Sequence, residues 1–138
     1  MGVPSSIEAR RFYRCAIQRF EEAQILLRSD RTTGAVYLAG YGIERILKSL
    51  ILSVVAPGRT VSVLQSFRGH RAHDYEWLRQ QYFDNRGPDF PRAINMHFTL
   101  VSDWSTELRY IAGKMKADDS EDFLAAANGI IEFAKGRF

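Results

Sequence analysis

The chain has a single cysteine, Cys15, and only four lysines in 138 residues. One cysteine excludes an internal disulfide and fits a reducing compartment. Cys15 falls within an apolar periodicity, so the expected role is a small buried hydrophobe rather than a nucleophile. The opening residues MGVPSSIEARR lack the apolar run of a secretory signal, and no uncharged apolar stretch reaches the roughly 18 residues of a membrane span. A soluble, cytoplasmic protein is expected, with no membrane partner. Neither a G-x-x-x-x-G-K-[ST] nor a G-x-G-x-x-G phosphate cradle is present. His70, His73 and His97 have no cysteine or helical carboxylate at ligand spacing, so neither a metal nor another cofactor is expected. Repeats, low-complexity tracts and charge blocks are missing, and no convincing alternating strand pattern occurs.

What is there is arginine: fifteen against four lysines, within a net charge of +3. Arginine is the better bidentate partner for phosphate and stacks on bases, which favours an anionic partner. The length suits one domain spanning residues 1–138.

The segment Thr32 to Val55 organises the rest. Between Ala35 and Val55 its only formal charges are Glu44, Arg45 and Lys48. Ala35, Leu38, Ala39, Ile43, Ile46, Leu47, Leu50, Ile51 and Val54 recur at helical spacing and cover almost the whole circumference, which predicts a buried central helix. Gly34, Gly40 and Gly42 punctuate its first half, and an interior glycine costs a helix roughly 1 kcal/mol relative to alanine. Close approach of another backbone near Gly40 and Gly42 is the expected compensation. Glu44 and Lys48 are four residues apart. The pair reads either as a self-supporting salt bridge on one face or as a polar site against a rigid wall.

Around this core the spacing predicts four further helices, hence an all-α, up-down bundle of four to five helices. The first opens at Ser5-Ser6-Ile7-Glu8, where Ser5 and Glu8 have capping-box spacing, and runs about six turns with Tyr13, Ala16, Phe20, Ala23 and Leu27 on one stripe. A tight connection follows in which Thr32 or Thr33 caps the central helix, making the two antiparallel. Pro57-Gly58 ends the central helix. The connection Arg59 to Ala72 is long, with a short helical turn at Val61 to Phe67. A third helix starts near His73-Asp74 and reaches about Phe83. After the Asn85 to Pro91 break, a fourth runs from Pro91 to about Gly113, and a fifth starts at Asp118-Asp119-Ser120.

The block Ala35-Val36-Tyr37-Leu38-Ala39-Gly40-Tyr41-Gly42-Ile43-Glu44 with Leu47-Lys48-Ser49-Leu50, then His73-Asp74-Tyr75, then Trp104-Ser105-Thr106-Glu107-Leu108-Arg109-Tyr110, resembles a prokaryotic HEPN (higher eukaryotes and prokaryotes nucleotide-binding) domain over nearly the whole chain. The resemblance implies a helical bundle, frequently a homodimer, that binds nucleotides or RNA. It also implies a toxin–antitoxin or defence role, or work beside a nucleotidyltransferase-type partner. Active members are metal-independent endoribonucleases using Arg-x(4 to 6)-His, in which arginine stabilises phosphate charge and histidine moves a proton. Two segments have that spacing, Arg68 to His73 and Arg92 to His97. In the family the motif sits late, which favours Arg92 and His97, although Ala93 stands where the family prefers a polar residue. Arg68 and His73 lie in the earlier loop.

The candidate ligand-binding set is Glu44, Lys48, His73, Asp74, Arg109 and Tyr110, with Glu44 expected to pair with Arg109, either to hold a ligand or to set the bundle's register. Three functions remain open: a dimeric nucleotide- or RNA-binding HEPN accessory protein, an endoribonuclease using Arg92 and His97, and a helical interaction module without nucleic acid.

Overall fold

The computed structural model describes residues 2–138. Its helices are α1 (Ile7–Arg28), α2 (Thr32–Val54), α3 (Thr60–Ser66), α4 (Tyr75–Asp84), α5 (Arg92–Leu100) and α6 (Ala117–Lys135), with three 3-10 turns at Pro57–Arg59, His70–His73 and Thr106–Tyr110. No strand occurs among the described residues. The fold is all-α: α1, α2, α4, α5 and α6 make the bundle, and α3 is the short helix expected inside the long connection.

The central position of α2 follows from its composition. Ile43, Ile46, Leu47, Leu50 and Ile51 are sealed from solvent together with Leu78 of α4 and Ile130 and Ile131 of α6. Burial of a side chain of this size is worth about 1.5–3 kcal/mol each, which outweighs the helix cost of the glycines. Against α2 lies α1, whose buried stripe of Ala9, Ala16, Phe20 and Ala23 is mostly small. The Ser49 hydroxyl donates to the Ala9 carbonyl at 2.8 Å. A Cβ on Gly42 would stand 3.3 Å from the Ala16 carbonyl oxygen, and one on Gly34 would stand 3.4 Å from Leu26. These contacts descend α1 as they ascend α2, so the two helices are antiparallel, and Gly42 faces the α1 backbone directly.

Gly40 does something different from the expected helix crossing. A Cβ there would fall 1.9 Å from Nε1 of Trp104, so the notch receives an indole from the far side of the sequence. This explains the largest departure from the sequence pattern. The fourth helix does not continue to Gly113; α5 stops at Leu100, and residues 101–105 turn so that Trp104 seats on Gly40 and stacks on Tyr75 at 5.4 Å. The Tyr75 hydroxyl donates to the Gly40 carbonyl at 2.8 Å, tying α4 to the same point.

The caps also shift. Ser6, not Ser5, caps α1 by accepting from the Ala9 amide at 3.1 Å, while the Ser5 carbonyl accepts from the Arg10 side chain. Neither threonine caps α2: Thr32 donates to the Met115 carbonyl at 2.8 Å and Thr33 to the Gly113 carbonyl at 2.9 Å, so both hold the strap that leads into α6. The third start is as expected, with Asp74 accepting from the amides of Glu76 at 2.9 Å and Trp77 at 3.5 Å. The 85–91 break is clamped from the C-terminus, where Arg137 donates to the Tyr82 hydroxyl at 2.9 Å and to the carbonyls of Pro88 and Asp89 at 2.7 and 2.6 Å.

Candidate functional site

Glu44 is fully buried (0% exposed), and a carboxylate in that position needs partners. It has three. Lys48, one turn on, donates to Oε2 at 3.0 Å; Arg45 pairs with the same oxygen; His73, from the 3-10 turn before α4, brings Nδ1 to 2.6 Å from Oε1. Lys48 sits over the rings of Phe12 and Phe67 at 5.9 and 5.4 Å. Burial pushes its ammonium below the usual lysine range, with Glu44 pulling the other way. The cluster pins the 70–73 turn to α2.

The expected Glu44–Arg109 pair does not form. Arg109 is exposed, and its guanidinium lies 4.8 Å from the ring of its neighbour Tyr110, itself 70% exposed. With α5 ending at Leu100, Arg109 and Tyr110 belong to a surface turn rather than to a helix beside α2. Neighbours at i+1 and i+4, plus His73, satisfy Glu44 instead.

Beside this cluster is an open cleft of about 750 Å³ between the His70–Glu76 segment, α4, α5 and residues 102–107. His73 and Asp74 line it; Glu44 and Lys48 stand behind His73, outside the lining; Arg109 and Tyr110 take no part. Its apolar wall is Tyr75, Phe98 and Trp104, with Tyr75 stacked on Trp104 at 5.4 Å and edge-on to Phe98 at 6.4 Å. Burial pushes the Tyr75 phenol well above its ordinary range, and burial together with the hydrogen bond it shares with Tyr37 pushes Tyr41 up to about 12. The polar part is made by the hydroxyl residues Thr99, Ser102, Ser105 and Thr106, by His70 and Arg79, and by the carboxylates of Glu76 and Glu107 beside Asp74.

A family model described as HEPN domain matches residues 9–137. The chain belongs to the HEPN domain family. No curated protein and no solved structure shows significant similarity to it. In this HEPN domain the two Arg-x4-His segments are both placed away from a shared reaction centre within one chain. Arg92 is exposed at the start of α5. His97 faces α6, its Nε2 2.6 Å from where a Cβ on Gly129 would sit. Five helical residues put two side chains about 140° apart around the axis, so Arg92 and His97 diverge. Neither lines the cleft, and of the earlier segment only His73 does. Among the described residues no group of three or more His, Cys, Asp or Glu stands together as a metal site, and no helix is long and apolar enough to cross a membrane.

The sequence reading missed Arg79, Phe98 and Trp104 as lining residues. Arg79 had a usable signal, standing four residues after Tyr75 and so on the same face of α4. Trp104 stood in the block that resembles the family, but its place in the cleft depends on a turn the apolar pattern concealed.

Proposed function

We propose that this HEPN domain is a cytoplasmic nucleotide- or RNA-binding protein whose ligand occupies the cleft between the 70–76 segment and residues 102–107. The supporting observation is the cleft itself: about 750 Å³, backed by three largely buried aromatic side chains and rimmed by histidines, an arginine, hydroxyls and the acids Asp74, Glu76 and Glu107. Ligand sites combine an apolar wall with a few convergent polar groups, and RNA recognition adds aromatic faces and cationic donors. Asp74 is already engaged at the α4 N-terminus, so His73 is the member of the sequence-derived set that presents to a ligand, oriented by Glu44.

In this reading the domain acts as a homodimer, as an accessory, toxin–antitoxin or defence component beside a nucleotidyltransferase-type partner. The family supports that role. The dimer has a local support as well: Met96 and Leu100, one turn apart on α5, are 63% and 51% exposed. Titration of mononucleotides and short RNA into the protein, followed by calorimetry and melting, tests the binding. Saturable binding weakened in His73→Ala is expected; a wild-type protein that ignores both ligand classes refutes it. Sedimentation of Met96→Glu/Leu100→Glu tests the dimer, which should dissociate with the fold intact.

A further inference from the structure

The cleft, whose lining also carries Asp74, Glu76 and Glu107, contains one arginine, and no carboxylate pairs with it. Arg79 is half-buried on α4. Its guanidinium lies 4.5 Å from the Phe98 ring centroid and 5.8 Å from that of Phe90. One terminal nitrogen donates to Asn95 Oδ1 at 2.5 Å, and Asn95 is oriented in turn by donating from Nδ2 to the Phe90 carbonyl at 3.3 Å. The Nε–H is buried with no acceptor. No carboxylate among the described residues reaches ion-pair distance; Glu76, one turn earlier on α4, stays outside it. Desolvation, the larger influence, lowers the Arg79 pKa, with Glu76 pulling weakly the other way.

A guanidinium taken partly out of water without an ion-pair partner is held at a cost, and here aromatic stacking and an oriented amide fix its plane. That is the state in which arginine receives an anion with least rearrangement. The same cleft supplies the Thr106 hydroxyl and His70 and His73 on the facing rim, while the Thr99 and Ser102 hydroxyls donate to the Asn95 and Thr99 carbonyls and Asp74, Glu76 and Glu107 also line it. Several donors of this kind suit a tetrahedral oxyanion better than a planar carboxylate.

We infer that Arg79 anchors a phosphate group in the cleft, so that the ligand is a phosphorylated nucleotide or an RNA phosphate rather than a nucleoside. The inference rests on the nucleotide-binding reading and specifies its chemistry. Adenosine, AMP, inorganic phosphate and a short RNA with or without a 5′-phosphate are compared on wild type, Arg79→Met and Arg79→Lys. AMP should bind wild type about tenfold to a hundredfold tighter than adenosine, the scale of one charge-assisted bidentate contact. That advantage should vanish in Arg79→Met and shrink in Arg79→Lys, which keeps the stem over Phe98 and the charge but loses the fork. Phosphate alone should raise the melting temperature of wild type and not of Arg79→Met. An RNA gain confined to the 5′-phosphorylated strand assigns Arg79 to a chain end; an equal gain on both strands, lost in Arg79→Met, assigns it to an internal phosphate. Equal binding of AMP and adenosine to wild type overturns the Arg79 role while leaving the nucleotide-binding reading intact, as does an AMP advantage that survives in Arg79→Met. Failure of every probe on wild type sinks both.

Discussion

Two charged groups flank the same cleft and have opposite circumstances. Glu44 is sealed within α2 and surrounded by Arg45, Lys48 and His73. Arg79 is only half-buried, yet no carboxylate meets it. A buried charge that the fold neutralises is bound into the fold's stability, whereas a stacked cation left unneutralised leaves room for a ligand's charge. The first is architecture with one edge, His73, turned to the cleft. The second is the part of the cleft that still needs an anion.

The largest expected break in this comparison is Glu44→Gln. It leaves Lys48 and Arg45 without their counter-charge, and removing one member of a buried ion cluster costs about 3–5 kcal/mol. Chemical denaturation should show that loss, and proteolysis at residues 67–73 should speed up as the turn loses its tie to α2.

Gly40→Ala comes next. Its Cβ would meet the Trp104 indole at 1.9 Å and displace it, for about 1–3 kcal/mol of overpacking. The Trp104 fluorescence should shift as it leaves its seat. Gly42→Ala, with its nearest contact at 3.3 Å, should cost less and leave the fluorescence unchanged.

Tyr75→Phe sharpens the comparison from the buried side. It removes a hydrogen bond to Gly40 worth about 1 kcal/mol. It also tests a pH dependence. The folded phenol of Tyr75 titrates well above 10.0, as does Tyr41 at about 12, so the unfolded chain ionises first. Their contribution is whole below about pH 10 and is lost as pH rises through the folded values. Denaturation midpoints of wild type should fall above about pH 10, and less steeply in Tyr75→Phe.

Arg79→Met closes the series with the smallest stability effect. The loss should be about 1 kcal/mol or less, the worth of a partly exposed cation over an aromatic face. A loss as large as that of Glu44→Gln would erase the contrast between the two sites.

How much was legible differs between these regions for the same reason. The Glu44–Lys48 pair and the Asp74 cap were readable because they follow from short-range spacing, i to i+4 on one helix and an acid directly before another, whereas His73 meets Glu44 across 29 positions. The Glu44–Arg109 pairing failed because it joined groups 65 positions apart on an assumed helix, and a helix that turns at residue 101 points its later side chains elsewhere. Arg79 carried no mark of its isolation, since being unpaired is a property of everything around it.

From composition and period alone came the all-helical class, the buried α2, the antiparallel α1 beside it, the short helix in the 59–72 connection and the acid that starts α4. These follow from local hydrogen bonding and from which face of a helix is apolar, both written in neighbouring residues. Tertiary structure alone decided that α5 stops at Leu100, that Trp104 fills the Gly40 notch, that two threonines hold a strap instead of a cap, and which charges meet. Those outcomes turn on volumes and distances between residues far apart in the chain, which contact sets only once the helices have come together.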